Sequence, residues 1–419
     1  MKNYFSSFFF LFCIILLLSE ETHAQWAAVN STIQYKNVYA LAFNGNNLFA
    51  GTGDASIYRS TNNGSSWTPV NNGMNYYETI QAFAVNDEGI FAGTYSNGVF
   101  LSTDNGNHWT AFNNGLLAPS IYGGMAIPEI TSLAFSGSNL FAGTFNNAGV
   151  FLSTDNGSNW VAVNSGLPST FVFDLLTNGT DIFAATYEGV FHSTDNGGSW
   201  NSSDSGITDN YVTFIALNGT NLFAGTYNDG IFISTNNGIN WNAVNSGLTT
   251  KTILSFASSG SDLFLGTVKG VFHSNDNGAN WTDISSGISF PTINTFAVNQ
   301  QYLFAAVANS GVYRRPLSEI TSIPVKNPTT IPGRFALFQN YPNPFNPSTT
   351  IKYSVPKKCM VTIKIYDVLG KVLETIVQEE RAPGNYRVEF NAINYSSGIY
   401  LCIMSAENYL ETKKLILIK

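Results

Sequence analysis

Leu48-Phe49-Ala50-Gly51-Thr52 is the stretch that decides the fold, because it returns six more times along the chain. The other copies are Ile90–Thr94, Leu140–Thr144, Ile182–Thr186, Leu222–Thr226, Leu263–Thr267 and the altered Leu303–Val307. Each copy is followed by a segment of the Gly-Val-Phe type, such as Gly98-Val99-Phe100. Self-similarity at a regular period is the signature of a protein built from repeated structural units.

A second motif, Ser-x-(Asp/Asn)-x-Gly-x-x-Trp, follows in six of the repeats. Its copies begin at Ser60, Ser102, Ser153, Ser193, Ser234 and Ser274 and end at Trp67, Trp109, Trp160, Trp200, Trp241 and Trp281. Most of these tryptophans are 40 to 42 residues apart, but Trp109 and Trp160 are 51 apart. The extra loop Leu116–Glu129 accounts for the longer repeat.

Each repeat predicts four short β-strands, because apolar or alternating runs are separated by Asn-Gly, Ser-Gly and Asn-Asn turn signals. In one repeat they are Ile80–Val85, Ile90–Tyr95, Gly98–Ser102 and Trp109–Phe112. No segment keeps a helical period, which excludes a helical solenoid. Four short strands are the size of one propeller blade. The sequence therefore predicts an all-β chain with a seven-bladed β-propeller over residues 25–315.

The two ends of the predicted propeller carry complementary fragments. The seventh repeat ends at Val312–Pro316 without a tryptophan strand of its own. The segment Trp26–Asn30 has no blade before it, and it matches Trp160–Asn164. We therefore expect the segment that begins at Trp26 to complete the last blade and close the ring, which removes an exposed sheet edge.

The second motif resembles the Asp-box of propellers such as sialidases, sortilin-type receptors and photosystem II assembly-factor-like proteins. Its acid position is held by Asn62, Asp104, Asp155, Asp195, Asn236 and Asp276. Asp or Asn accepts hydrogen bonds from turn amides, and the tryptophan covers apolar surface between sheets. The amide in two copies removes charge from any calcium site, so we expect structural roles, with no metal or cofactor. The resemblance implies that the motif lies away from the ligand face.

Charge differs between the two parts of the chain. Residues 26–315 carry 6 Lys/Arg and 17 Asp/Glu, a net charge of 6 − 17 = −11. Residues 320–419 carry 12 Lys/Arg and 7 Asp/Glu, a net charge of 12 − 7 = +5. An acidic main body argues against nucleic acid as a partner. The change of sign indicates two separate modules.

The first residues have the pattern of a secretory signal peptide, predicted over residues 1–24. Lys2 supplies the positive charge, Phe5–Leu18 is apolar, and Thr22-His23-Ala24 precedes the expected cut before Gln25. The apolar run is short for a membrane span, although an uncleaved anchor is the alternative. No other stretch is apolar enough to cross a bilayer, so the mature protein is not expected to be transmembrane.

Residues 316–334 form a predicted linker without periodicity, and residues 335–419 a predicted small Ig-like antiparallel β-sandwich. The alternating run Val361–Tyr366 is typical of its strands. Cys359 and Cys402 lie in this module, and the sequence leaves open whether they pair.

This module also resembles the type A sorting domain of the type IX secretion system of Bacteroidetes-like bacteria. The resemblance rests on an Asn-Tyr-Pro-Asn-Pro block, an Ile-Tyr-Asp turn, a Ser-Gly-Ile-Tyr segment and a basic-apolar tail. The residues that carry it are Tyr341, Pro342, Pro344, Tyr366, Gly370, Gly398, Tyr400, Lys413 and Lys414. It implies recognition by the type IX translocon and its sorting peptidase, and a location outside the cell or on its outer surface.

The sequence argues against two enzyme classes for the propeller. A sialidase needs an arginine cluster, but Arg59, Arg314 and Arg315 occupy one strand column on two adjacent blades. A xyloglucanase-like enzyme needs two opposed carboxylates, for which Asp54, Glu188 and Asp229 are candidates in loops. Acidic residues in Asn/Gly-rich loops are usually only solvated, so no catalytic residue is assigned.

A binding surface is the better prediction. Tyr95, Phe145, Tyr187 and Tyr227 follow the repeated Gly-Thr or Ala-Thr pair in four successive repeats, and Tyr122 lies in the extra loop. Aromatic rings at such a rim stack on sugars or peptides. We expect a monomeric, non-catalytic module that binds glycan or protein. The alternative is a glycoside hydrolase-like propeller with an unrecognised carboxylate pair.

Overall fold

The computed structural model describes residues 25–29, 32–54, 56–74, 78–119, 124–145, 148–168, 171–321, 334–340 and 342–418. The predicted signal peptide, Tyr122 and Tyr341 lie outside these residues. The chain divides into two compact units, Met1–Val325 and Lys326–Lys419, which we call the ring unit and the C-terminal unit. Among the described residues, no helix combines the length and apolar character needed to cross a bilayer.

The described part of the ring unit contains seven four-stranded antiparallel sheets. The first described strand is β1 (Ala27–Ala28). The first sheet contains β2 (Val38–Asn44), β3 (Asn47–Thr52), β4 (Ile57–Ser60) and β5 (Thr68–Pro69). The second contains β6 (Ile80–Asn86), β7 (Gly89–Thr94), β8 (Val99–Ser102) and β9 (Thr110–Ala111). A small sheet of β10 (Ala118–Pro119) and β11 (Met125–Ala126) lies in the extra loop.

The remaining sheets repeat this order. The third contains β12 (Ile130–Ser136), β13 (Asn139–Thr144), β14 (Val150–Ser153) and β15 (Val161–Ala162). The fourth contains β16 (Val172–Asn178), β17 (Asp181–Thr186), β18 (Gly189–Ser193) and β19 (Asn201–Ser202). The fifth contains β20 (Val212–Asn218), β21 (Asn221–Thr226), β22 (Ile231–Ser234) and β23 (Asn242–Ala243). The sixth contains β24 (Ile253–Ser259), β25 (Asp262–Thr267), β26 (Gly270–Ser274) and β27 (Thr282–Asp283).

The seventh sheet combines the first and the last described strands of the ring unit. It contains β28 (Ile293–Val298), β29 (Tyr302–Val307) and β30 (Gly311–Pro316), with β1 as its outer strand. Ala27 pairs with Arg314 and Ala28 with Tyr313. A short helix, α1 (Leu317–Thr321), follows, so ordered structure of this unit continues into the predicted linker.

The first strands of neighbouring sheets contact one another around a closed circle, in which β2 contacts both β6 and β28. This arrangement fits a β-propeller, with the first strands innermost. The second strands are buried on both faces. The glycine of the repeated motif allows this packing: a Cβ on Gly51 would lie 2.5 Å from Cγ2 of Ile80 in the next sheet.

All seven tryptophans lie in the ring unit, and each indole Nε1 donates a hydrogen bond to a backbone oxygen of the preceding repeat. Trp67 donates to the oxygen of Val29 at 2.6 Å. Trp26 donates to the oxygen of Ile284 at 2.8 Å, so the series returns to its start. The acceptor lies three residues after the previous tryptophan every time, which links the seven sheets in one closed cycle.

The C-terminal unit contains two antiparallel sheets that share an apolar core. One sheet contains β31 (Ala336–Leu337), β32 (Ser348–Val355) and β35 (Gly384–Asn391); the other contains β33 (Cys359–Tyr366), β34 (Val372–Arg381), β36 (Gly398–Ala406) and β37 (Tyr409–Leu417). Cys359 and Cys402 are buried and free. Burial raises the pKa of Cys402 to about 12, which keeps its thiol protonated.

Trp26→Ala tests the closing strand. Trp26 is only 4% exposed, and truncating a large buried aromatic costs about 3–5 kcal/mol. Ala27→Ser on the exposed part of the same strand is the control and should change stability by less than about 0.5 kcal/mol. Urea unfolding followed by the fluorescence of the other tryptophans measures both. Equal stability of the two variants would contradict a closing role for this strand.

Candidate functional site

The two ends of the ring carry different turns, because antiparallel strands place successive connections at opposite ends. The turns between first and second strands lie beside the Asp-box-like turns of neighbouring sheets. Nδ2 of Asn44 donates to Oδ1 of Asn105 at 3.2 Å, and Nδ2 of Asn299 donates to Oδ1 of Asn63 at 2.9 Å. We call this the box end. The turns between second and third strands define the opposite, loop end.

The box turn is held by its own side chains. Ser153 is buried, and its Oγ donates to Oδ1 of Asp155 at 2.8 Å and accepts the amide of Gly157 at 2.8 Å. Oδ1 of Asp155 also accepts the amide of Asn159 at 2.8 Å. Hydrogen bonds from the side chain and backbone of Asn159 lower the pKa of Asp155. The carboxylate therefore acts as a hydrogen-bond acceptor that shapes the turn.

The amide variants of the turn make the same hydrogen bonds. Oδ1 of Asn62 accepts from Oγ of Ser60 at 3.0 Å and from the amide of Ser66 at 2.9 Å. Its Nδ2 donates to Oγ of Ser66 at 2.9 Å. Across the described residues, no three His, Cys, Asp or Glu side chains are grouped as a metal site would require.

The loop end carries a continuous row of aromatic rings. The row consists of Phe145, Phe171, Phe173, Tyr187, Tyr211 and Tyr227, and we call it the aromatic ridge. Phe145 and Phe171 meet edge to face at 4.8 Å between ring centroids. Tyr211 stacks on Phe173 at 4.8 Å and on Tyr227 at 5.1 Å. The ridge therefore spans the third, fourth and fifth sheets.

The structure brings three of the predicted aromatic residues into this ridge. Phe145, Tyr187 and Tyr227 belong to it, and the two tyrosines are 55% and 44% exposed. Tyr95 is 52% exposed, but it belongs to the second sheet and is not part of the ridge. Tyr122 lies outside the described residues.

Sequence analysis missed Phe171, Phe173 and Tyr211. Phe171 and Tyr211 precede the first strands of consecutive sheets, and their carbonyls accept the amides of Tyr187 and Tyr227 at 3.2 and 3.0 Å. This backbone pairing places each missed ring next to a predicted one. The available signal was the recurrence of an aromatic residue directly before a first strand in adjacent repeats.

Carboxylates flank the ridge. Oδ1 of Asp209 accepts the amide of Tyr211 at 3.2 Å, and its Oδ2 accepts the amide of Asn228 at 2.7 Å. Oδ2 of Asp229 accepts a hydrogen bond from the hydroxyl of Thr208 at 2.6 Å, and its Oδ1 lies 3.7 Å from Nζ of Lys251. Burial, with the nearby hydroxyls of Tyr227 and Tyr187, raises the pKa of Tyr211, so the phenol stays neutral.

Two further carboxylates at the loop end are buried. Glu129 is 9% exposed and accepts Nε2 of Gln81 at 2.6 Å; burial raises its pKa. Its carbonyl accepts the amide of Phe145 at 3.0 Å, which places Glu129 beside the ridge. Glu78 accepts the amide of Ser96 at 2.5 Å and also Nδ2 of Asn97.

The three candidate arginines lie in the first and seventh sheets, apart from the candidate carboxylates Glu188 and Asp229. Asp54 forms an ion pair with Lys36; burial opposes ionisation, but hydrogen bonds from Lys36 and Thr52 hold its pKa below the usual value. Glu188 and Asp229 lie in the turns between the second and third strands of the fourth and fifth sheets. Arg59 donates to the carbonyl of Asn105 at the box end.

The other two arginines also serve the fold. Arg314 donates to the carbonyl of Asn63 in a box turn. Arg315 is buried and donates to the carbonyl of Ile284 at 3.0 Å, the same oxygen that accepts from Trp26. Their guanidinium groups therefore support the box end and the ring closure.

Asp174 joins three sheets on the inner side of the ring. Its Oδ1 accepts Oγ of Ser132 at 2.8 Å and the amide of Leu175 at 2.9 Å. Its Oδ2 accepts the amide of Ile215 at 3.2 Å. The residue as a whole is half-buried but its carboxylate is enclosed, and burial raises the pKa of Asp174 to about 6.

In the C-terminal unit, the proline block and the tail lie side by side. Nδ2 of Asn343 donates to the carbonyl of Lys414 at 3.0 Å, and its Oδ1 accepts the amide of Ile416 at 2.8 Å. Phe345 exchanges backbone hydrogen bonds with Ile416 and Ile418. The carbonyl of Pro342 accepts Oγ1 of Thr349 at 2.8 Å. Two motifs far apart in sequence therefore form one surface.

The remaining predicted sorting residues shape turns and strand ends. Tyr366 ends β33, and Gly370 follows in a turn with φ 82°, which favours glycine. Gly398 begins β36, and the hydroxyl of Tyr400 donates to the carbonyl of Ser396 at 2.6 Å. Lys413 forms an ion pair with Glu411 at 2.8 Å, whereas Lys414 is exposed.

Comparison with known families identifies this module. Residues 339–419 match the family described as Secretion system C-terminal sorting domain. No curated protein matches the chain in sequence. The match confirms that the chain is exported by the type IX secretion system to the cell surface or the extracellular space.

Solved structures share the fold at low sequence identity. YCF48 bound to D1 peptide gives a TM-score of 0.56 at 15% identity, covering 72% of this chain and 98% of that chain. PorZ, a surface component of the type IX secretion system of Porphyromonas gingivalis, gives 0.53 at 14% identity, covering 91% and 59%. The GH74 xyloglucanase from Xanthomonas campestris gives 0.52 at 16%, covering 68% and 43%.

These similarities support the all-β, propeller-like fold and carry no function by themselves. The chain spans less than two thirds of the PorZ and xyloglucanase structures.

The box turn predicts an order of stabilities. Ser153→Ala leaves the buried amide of Gly157 without its acceptor, so we expect a loss of about 1–3 kcal/mol. Asp155→Asn keeps an acceptor in place, as Asn62 does, and should cost less than about 1 kcal/mol. Urea unfolding followed by tryptophan fluorescence ranks the two. A larger loss for Asp155→Asn, or loss of a bound calcium ion, would indicate that the charge itself matters.

The raised pKa of Asp174 predicts that the free energy of unfolding depends on pH. Its pKa of about 6 exceeds the unfolded value of about 3.9, so the folded state binds the proton more tightly. Its contribution to stability is therefore present below pH 4 and is lost as pH rises to 6, by up to about 3 kcal/mol. Asp174→Asn removes this titration. Parent and variant unfolding free energies should diverge across this window, whereas parallel pH curves would contradict the assignment.

Proposed function

We propose that the ring unit is a seven-bladed Asp-box β-propeller, closed by its N-terminal strand, that acts outside the cell as a non-catalytic binding module for glycan or protein. The aromatic ridge is the observation that carries the proposal. Clustered exposed aromatic residues rimmed by polar groups are typical of interaction sites. The box motif serves the opposite end of the ring, which leaves the loop end available for a ligand.

The C-terminal unit delivers this module. Its family match implies interaction with the secretion machinery. We propose further that this Ig-like, type A sorting domain is recognised by the translocon and removed by the sorting peptidase. Mass spectrometry of the exported protein tests the removal, since peptides from residues 339–419 should then be missing.

A glycoside hydrolase-like enzyme is the second candidate. Glu129 favours it, because a buried carboxyl with a raised pKa beside an aromatic surface resembles a general acid. A similar fold occurs in a GH74 xyloglucanase and in YCF48 with a bound peptide, so the fold does not choose between catalysis and binding. The binding proposal is preferred because an inverting or retaining mechanism requires a second, facing carboxylate.

The test applies residues 25–419 to a glycan array and to a panel of purified surface proteins, followed by a hydrolysis screen of the same glycans. We expect binding without turnover. Tyr187→Ala should weaken binding about fivefold or more, since stacking on an exposed ring contributes about 1 kcal/mol. Val161→Ala, exposed on β15 outside the ridge, is the control.

Turnover that disappears in Glu129→Gln, while the variant stays folded, would favour the hydrolase instead. Binding that is unchanged in Tyr187→Ala would remove the ridge from the proposal.

A further inference from the structure

We infer that the aromatic ridge, with the carboxylates of Glu188, Asp209 and Asp229 beside it, binds arginine or lysine side chains of an extended protein segment. This inference rests on the proposed binding function and names its partner class. It follows from the arrangement of the aromatic side chains, from the carboxylates held beside them and from the net charge of residues 26–315.

Three of the six aromatic rings, those of Phe173, Tyr211 and Tyr227, stack on one another, which leaves these three few open faces for a sugar. Phe173 and Tyr211 are inclined by 26° and Tyr211 and Tyr227 by 15°, so these rings cover one another's inner faces. Open sugar stacking requires a free, broad ring face. A cation requires only the face of an end ring such as exposed Tyr227, with the remaining rings as apolar support for its aliphatic stem.

The carboxylates are positioned to receive the charged group. Backbone amides of Tyr211 and Asn228 hold Asp209 in place at the ridge, at 3.2 and 2.7 Å. Glu188 follows Tyr187 directly and is exposed. A guanidinium group can use the aromatic rings and the carboxylates together, because it stacks on aromatic faces and its planar fork of N–H groups donates hydrogen bonds to carboxylates.

Charge complementarity supports the same partner. The charged residues around the ridge are the cations Lys251 and Lys269 and the carboxylates Glu129, Glu188, Asp209 and Asp229, giving 2 − 4 = −2. The ring as a whole has a net charge of −11 over residues 26–315. This field attracts a cationic segment and repels anionic glycans, whereas a neutral glycan gains nothing from it.

The experiment uses residues 25–419 and a fluorescein-labelled peptide of alternating arginine and glycine, followed by anisotropy at about 150 mM salt. There are two comparison probes: the same peptide with glutamate in place of arginine, and an unlabelled neutral cello-oligosaccharide. Isothermal titration calorimetry measures binding of the oligosaccharide. We expect binding of the arginine peptide alone. Tyr227→Ala and Asp209→Asn should each weaken it about fivefold.

Matched controls separate the ridge from general attraction to an acidic protein. Tyr95→Ala removes a similarly exposed tyrosine of the second sheet, outside the ridge, and Asp104→Asn removes the same charge at the box end. Both should change the dissociation constant by less than about twofold. Urea unfolding must show that all four variants fold like the parent.

Three results would overturn the inference. Equal weakening by Asp104→Asn and Asp209→Asn would mean that the peptide responds only to net charge. Binding of the oligosaccharide but not of the arginine peptide would reject a cationic partner and leave the proposed binding function standing. Binding of neither probe would also reject it, and the array and protein panel would then judge the proposed function separately.

Discussion

The closed cycle of tryptophan hydrogen bonds is the constraint on which the ring unit depends. Each indole spans from its own sheet to the backbone of the preceding repeat, and Trp26 returns the series to Ile284. Buried indole N–H groups need an acceptor, so each sheet is fixed to the one before it both by packing and by hydrogen bonding. With β1 paired to β30, each of the seven four-stranded sheets described in the ring unit has two neighbours and the ring has no free seam.

The close approach of neighbouring sheets follows from the repeated Leu-Phe-Ala-Gly-Thr motif. Leu and Phe fill the space between sheets, while Gly51 and Gly93 leave room for Ile80 and Ile130 of the next first strand. Two repeats carry alanine there, at Ala185 and Ala306, and both are fully buried. Large and small side chains thus alternate between facing sheets, as close-packed interiors require.

The box motif and its structural contacts lie at one end of the ring unit, so the exposed side chains of the loop end are not needed for those contacts. The box end is used by turn-forming hydrogen bonds, arginine-to-carbonyl contacts and inter-sheet asparagine pairs. At the loop end, consecutive sheets instead place rings side by side and carboxylates around them. A repeat architecture makes such a surface easy to form, because one aromatic position per repeat becomes a continuous row once the sheets are arranged in a circle.

The sequence by itself determined the all-β class, the repeats and the sorting module, because these depend on local patterns: turn signals, strand alternation and short motifs. It also singled out Phe145, Tyr187 and Tyr227 by their repeat position. It did not find Phe171, Phe173 and Tyr211, or the enclosed carboxylate of Asp174. Phe171 and Tyr211 share a repeat position, but that an aromatic residue there meets the predicted rings follows only from the side-by-side arrangement of the sheets, as do the contacts of Asp174. Likewise, the proline block and the basic tail of the C-terminal unit became neighbours only through folding, since Asn343 and Lys414 are 71 residues apart in the sequence. Contacts between distant segments depend on tertiary packing, which no local pattern records.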